Sequence, residues 1–421
     1  MIEIRKLSNG LKVVLEDLDH FNSIGIGVWV KTGSACETKE ENGISHFIEH
    51  MLFKGTNKRT AKDIAIEMDS IGGQVNAFTS KEITCYHARV VSEKIETAMD
   101  VLSDLVKNSK IDETELDKER QVVLEEILMV NDTPDELAHE NISINFFEGS
   151  EYSKPIIGPA KNIKRFQRSD LKKYMEKHYY PENMVISIAG KMDKDEMMEL
   201  LEKYFGDYQN LSDKRFSETC AESFIPKKSI SVLKRDIEQT HISLGFSGVA
   251  YNDETRFAYM VLSNLFGGSM SSRLFQSIRE EMGLVYSVYS YLSTYTHAGM
   301  FGLYAATGAK TAKTALDLMQ KEIIKLKEKG INDDEFINSK TQLHGNYLLA
   351  LESVNARVQS IGKSLLLLDY VDTQESILAK LDKVSKKDVN DLIDFIFDFD
   401  KMNAVFVGKI LDQQKLEGIC M

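Results

Sequence analysis

The sequence has 421 residues and a mass of 47.7 kDa, with 43% hydrophobic and 28% charged residues and only 5 Pro. That balance excludes disordered, collagen-like and low-complexity architectures and leaves room for two or more domains. The 65 acidic and 52 basic residues give a net charge of −13, which speaks against nucleic acid or an anionic membrane as partner.

No apolar run approaches the roughly 18 residues that a membrane span needs. The run 364–368 stops at Asp369. The four cysteines (Cys36, Cys85, Cys220, Cys420) form no C-x-x-C pair, so a disulfide framework and a cysteine zinc site are both unexpected. The first six residues show neither an apolar signal core nor an Arg/Ser-rich transit pattern.

In chain order, Asn9-Gly10 reads as a hairpin turn between strands 2–6 and 11–15. Residues 24–30 (IGIGVWV) put large apolar side chains at every second position, the period of a strand. The segment 43–55, GISHFIEHMLFKG, reads as a helix stopped by Gly55. Ile44, Ile48 and Met51 cluster on one face with Phe47 beside them, and His46, Glu49 and His50 fall on the other. Two histidines at i and i+4 can aim both imidazoles at one metal ion, and the intervening carboxylate can then take a proton from water. The pattern is the inverted zincin motif, H-x-x-E-H. On spacing alone, the alternative is a polar helix face that merely carries two His and one Glu.

Residues 112–126 offer a third ligand. Asp112 with Glu115 reads as a capping box and Ile111 with Leu116 as a hydrophobic staple. On the helix that follows, Glu119 and Glu126 share a face with Val122, Val123 and Val130, whereas Glu125 lies about 100° away and faces solvent. Carboxylates in an apolar stripe need a compensating cation or hydrogen bonds. Glu126 is therefore the expected ligand, and Glu119 the expected support of one. A salt-bridged surface helix is the plain alternative.

The chain also repeats itself. Asp170 and Asp388 each precede a Gly (Gly190, Gly408) by 20 residues, and both stretches read as helix, turn and apolar strand. Weaker matches join 97–102 to 314–319 and 52–56 to 265–269. Together they predict an α+β fold of two homologous units, each a mainly antiparallel sheet packed with helices. The division expected is 1–215, a linker at 216–228, and 229–421. Shifted by the repeat, His46, Glu49 and His50 fall on Tyr259, Leu262 and Ser263, and Glu126 falls on Asn346. Only the first unit has a metal set. His87 and His241 sit in apolar strand-like runs as structural groups.

Four strings carry a resemblance that spans nearly the whole chain: HFIEHMLFKGT, IGGQVNAFTSKEITCYH, ERQVVLEEI and LFGGSMSSRLFQSIREEMGLVYSVYS. They resemble the pitrilysin-type inverzincin metallopeptidases, in particular mitochondrial processing peptidase and its bacterial relatives. The resemblance implies one zinc ion per chain held by His46, His50 and Glu126, with Glu49 as general base and Glu119 supporting the catalytic site. It also implies that Asn76 and Ala77 lie on a strand edge receiving substrate backbone, and that Arg279 and Tyr286 reach substrate from the second unit. One chain would form one clam-shell half, and two a homodimer enclosing a chamber for short or unfolded peptides. With no targeting segment seen, a bacterial-type cytoplasmic setting is expected, and charge and hydropathy argue against nucleic acid or membrane as partner. Two rival readings are a catalytic subunit that needs a separate partner and a non-catalytic structural homologue.

Overall fold

The turn at Asn9-Gly10 closes the first hairpin because Gly10 adopts φ +89°, a left-handed conformation that suits glycine, while Leu7 N–H donates to the Leu11 carbonyl at 2.9 Å. The computed structural model describes residues 2–209 and 224–410. Its first sheet comprises β1 (Ile2–Lys6), β2 (Lys12–Asp17), β3 (Ser23–Val30), β4 (Gln74–Thr79), β5 (Thr84–Val91) and β6 (Met184–Gly190), in the order β1-β2-β6-β3-β5-β4. The second comprises β7 (Ser229–Lys234), β8 (Gln239–Ser247), β9 (Val285–Thr294), β10 (Gly299–Gly308) and β11 (Asn403–Gly408), in the order β7-β11-β8-β10-β9.

The two sheets are the two copies of one design. Each is antiparallel except for one parallel pair, β2 with β6 and β7 with β11. The paired glycines end β6 and β11 with φ of +136° and +128°. The helices before those strands, Arg168–His178 and Lys386–Ile396, both begin with a capping box closed by Asp170 and Asp388. The fold is α+β and its two units are homologous.

The compact units do not follow the chain as the division at 1–215 and 229–421 does. One comprises Met1–Ile127, Lys154–Cys220 and Leu348–Thr373; the other comprises Leu128–Ser153, Ala221–Tyr347 and Gln374–Met421. Most of the linker expected at 216–228 lies outside the described residues. The cause is an exchanged helix. Along β3, Ile24, Ile26, Val28 and Val30 are fully buried in the first hydrophobic core. The opposite face carries Gly25, Gly27 and Trp29, and it is covered by the helix Val354–Leu368 from late in the chain. A Cβ on Gly25 or Gly27 would come within 3.1 Å of Val358 side-chain carbons, so these glycines admit the helix at close range. Trp29 Nε1 donates to Ser187 Oγ at 2.8 Å, and that hydroxyl donates to the Val358 carbonyl at 2.9 Å, so the buried polar groups are satisfied. In the second unit, the helix Pro134–Phe146 from early in the chain lies in the same way on β8 and β11.

Candidate metal centre

The helix Ile44–Leu52 buries Ile44, Phe47, Ile48 and Met51 in the first core and turns His46, Glu49 and His50 the other way. Its start is fixed by a residue that sequence spacing does not reveal. The Glu37 carboxylate, 2% exposed, accepts from the N–H groups of Gly43 and Ser45, both at 2.8 Å, and from Asn42 Nδ2 at 2.9 Å. It thus satisfies orphan donors at the helix N-terminus, where negative charge is favourable.

The helix Glu113–Asp132 supplies the carboxylates. Asp112 Oδ1 accepts from Thr114 N–H at 2.9 Å and Glu115 N–H at 3.3 Å, which is half of the expected capping box. The other half differs, since the Glu115 carboxylate turns outward to Lys118 Nζ at 2.7 Å. Ile111 and Leu116 are both buried in the first core, as a staple requires. Ile111 takes φ +45°, unusual for a β-branched residue, and its carbonyl accepts from Arg168 Nε at 2.8 Å. Val123 is fully buried, but Val122 is 43% exposed and leaves the expected apolar stripe. Glu119 is 6% exposed.

The two helices bring His46, His50 and Glu126 together, with one ligand atom of each lying within 4.8 Å of the others. Glu126 Oε2 is 3.8 Å from His46 Nε2 and 3.5 Å from His50 Nε2, and the imidazole centroids are 4.7 Å apart. Burial, helped by the neighbouring His50, pushes His46 down to about 4, so its ring is neutral at neutral pH with a lone pair to offer. His50 Nδ1 lies 3.1 Å from Glu119 Oε2. As the Nδ1–H tautomer it donates there, which orients its Nε2 toward Glu126. Two imidazoles and a carboxylate converging on one point fit a catalytic zinc donor set.

Glu49 sits on the same helix face. Burial lifts its carboxyl above the usual range; the Thr79 hydrogen bond and His50 pull it down, and Glu126 pushes it up. The Thr79 hydroxyl donates to Glu49 Oε2. Thr79 ends β4, which among the described residues is an edge strand hydrogen-bonded only to β5. On that strand Asn76 is exposed, and its Oδ1 accepts from Ala77 N–H at 2.8 Å. Neither Glu37 nor Thr79 belongs to a periodic pattern, so no spacing marks them.

Arg279 and Tyr286 lie in the second unit. The Arg279 guanidinium carbon is 5.7 Å from the Tyr286 ring centroid, and Tyr286 is 77% exposed at the start of β9. His241 is satisfied, its Nδ1 lying 2.6 Å from the Tyr304 hydroxyl. Among the described residues, no helix is long and apolar enough to cross a membrane.

Two family models match the chain, "Insulinase (Peptidase family M16)" over residues 12–160 and "Peptidase M16 inactive domain" over residues 165–343. A Bacillus subtilis protein named "Uncharacterized zinc protease YmxG" is 42% identical over 397 residues, covering 94% of this chain and 96% of its own. A Rickettsia felis "Uncharacterized zinc protease" is 38% identical over 419 residues, covering 99% and 98%. The fold also matches a crystal structure of a protease from Helicobacter pylori, with a TM-score of 0.91 and 22% identity over 97% of this chain and 99% of that one. The inactive-domain match includes the repeat positions Tyr259, Leu262 and Ser263, and the metal set falls within the other match. By its matches over most of its length, the chain belongs to peptidase family M16, the insulinase family.

Proposed function

We propose that this protein hydrolyses short or unfolded polypeptides at a centre formed by His46, His50 and Glu126, with Glu49 as general base. The protein is a zinc metallopeptidase, and in this reading each chain holds one ion. When bound, zinc supplies a Lewis acid that polarises the scissile carbonyl and lowers the pKa of water. Glu49 takes the proton from the attacking water and returns it to the leaving amine, a role suited to a carboxyl whose proton affinity burial raises. With one oxygen held by Thr79, Glu49 keeps the other for that transfer. Glu119 holds His50 in the ligating tautomer.

The free edge of β4 at Asn76 and Ala77 receives an extended substrate by strand addition, which reads backbone more than side chains. Arg279 and Tyr286 bind substrate from the second unit; the 77% exposure of Tyr286 supports that role. Because one chain carries both the metal set and this pair, a homodimer is the assembly we infer, enclosing a chamber that admits only short or unfolded chains. We place the enzyme in a bacterial cytoplasm.

The observation that carries the proposal is the convergence of His46, His50 and Glu126 within 4.8 Å beside Glu49. Glu49→Gln is expected to retain zinc and fold while losing at least about 100-fold in kcat, the scale of general-base catalysis. Unchanged hydrolysis by Glu49→Gln would overturn the assignment of the base.

A further inference from the structure

Lys54 stands one step beyond the groups assigned so far. Its Nζ lies 2.7 Å from Glu119 Oε1, while Oε2 of the same carboxylate lies 3.1 Å from His50 Nδ1. The three groups form a continuous chain, Lys54 to Glu119 to His50, and His50 Nε2 faces Glu126. Glu119 has only 7% of its side chain exposed, and among the described residues Lys54 is its one cationic partner other than the histidine. A buried carboxylate with a single partner is costly and free to turn about its own axis. Here each oxygen has its own donor, so the carboxylate plane is fixed by two anchors, one of them a full charge.

The backbone explains how Lys54 gets there. The histidine helix ends at Leu52, Lys54 N–H donates to the Met51 carbonyl at 3.1 Å, and Gly55 turns the chain with φ +117°. A Cβ at Gly55 would lie 3.0 Å from the Arg59 carbonyl oxygen. Thr56 is then bridged to Ser109, just before the segment that leads into the glutamate helix. The lysine is therefore held at the junction of the two helices that share the metal site, four residues beyond His50 and on its side.

We propose that Lys54 is a positioning residue of the metal centre: it locks Glu119, and through it the His50 ring, in the orientation that binds zinc. The proposal deepens the zinc-peptidase reading and rests on it. Lys54 stands outside the group of side chains that converges on the metal site, so its effect is carried by Glu119.

The test is a double-mutant cycle read by zinc affinity, measured on the full-length metal-stripped protein by competition with a chromophoric chelator. Lys54→Met keeps the stem and removes the charge, and is expected to weaken zinc binding about 10- to 100-fold, the usual effect of losing a group behind a metal ligand. Lys54→Arg is expected to restore affinity to within a few-fold of the parent. In a Glu119→Gln background, Lys54→Met is expected to cost no more than about 2-fold, because the group it acts on is already neutral. Parental affinity in Lys54→Met, or an equal loss in both backgrounds, overturns the role of Lys54 while leaving the zinc centre standing. A parent protein that binds no zinc overturns the centre itself, so the two failures are separable. Should Lys54→Met not fold, Lys54→Gln in the same cycle gives the same reading.

Discussion

The Thr79 hydroxyl donates to Oε2 of Glu49, and this bond joins the free end of an edge strand to the proposed catalytic base. A peptide added to β4 would thus be registered against Glu49 through a residue of the same strand. The bond also lowers the Glu49 carboxyl, against the burial that raises it. In Thr79→Val that pull is gone, so the carboxyl rises and the base loses its ionised form at a higher pH. The acid limb of kcat/KM is expected to move to higher pH and kcat to fall about 10-fold, equivalent to about 1.4 kcal/mol, with zinc content unchanged. A pH–rate profile that coincides with the parent's contradicts this.

Glu37 anchors the start of the histidine helix through Gly43, Ser45 and Asn42. Removing the carboxylate in Glu37→Ala leaves buried donors unsatisfied, at a cost of about 1–3 kcal/mol for each group lost. Chemical denaturation of the metal-free protein is expected to show a loss of at least about 2 kcal/mol. Zinc affinity falls with it, since His46 follows the same helix start.

The exchanged helix makes a sharp prediction at Gly362. A Cβ there would lie 2.2 Å from Trp29 Nε1 and 2.7 Å from Ser187 Oγ, both of them buried and mutually hydrogen-bonded. Gly362→Ala is expected to destabilise the protein by about 1–3 kcal/mol, as overpacking does. Because Trp29 is the only tryptophan, its fluorescence is expected to report the disturbance directly. A melt and an emission maximum identical to the parent's would show that the helix does not pack there.

Much of this was legible in the sequence, for physical reasons. Alternation along 24–30 marks one buried face of β3, and helical period at 44–51 separates Ile44, Ile48 and Met51 from His46, Glu49 and His50. The Asp170/Gly190 and Asp388/Gly408 pairs mark the repeat because caps and left-handed glycines tolerate few substitutes. The exchange of the helices Pro134–Phe146 and Val354–Leu368 was not legible, since each is amphipathic in the ordinary way and nothing local says which sheet it covers. Val122 misled because a 3.6-residue period places it beside Val123, and the neighbouring elements cover only one side of that helix. Lys54, Glu37 and Thr79 act through contacts between residues 5 to 65 positions apart, which no spacing rule reaches.

Acid stability offers a test away from the metal. His178 is fully buried and stacks on Tyr174 with centroids 4.2 Å apart; burial, helped by Lys177, pushes it down to about 3. Its folded value lies below the ordinary 6.5, so the unfolded chain binds the extra proton between those limits, and folding stability is lost as pH falls through that window. In His178→Phe the slope of stability against pH between about 3.5 and 6 is expected to be shallower by about 1.4 kcal/mol per pH unit, one proton's worth. Equal slopes would mean that His178 carries its proton in the folded state.

The most direct test of the central claim is cleavage of a quenched, unstructured peptide by the purified chain alone, before chelation, after it, and after return of one equivalent of zinc per chain. The prediction is activity that disappears on chelation and returns on reloading, while Glu126→Gln neither holds the ion tightly nor recovers. Hydrolysis that persists after complete removal of metal, or full recovery by Glu126→Gln, would contradict it.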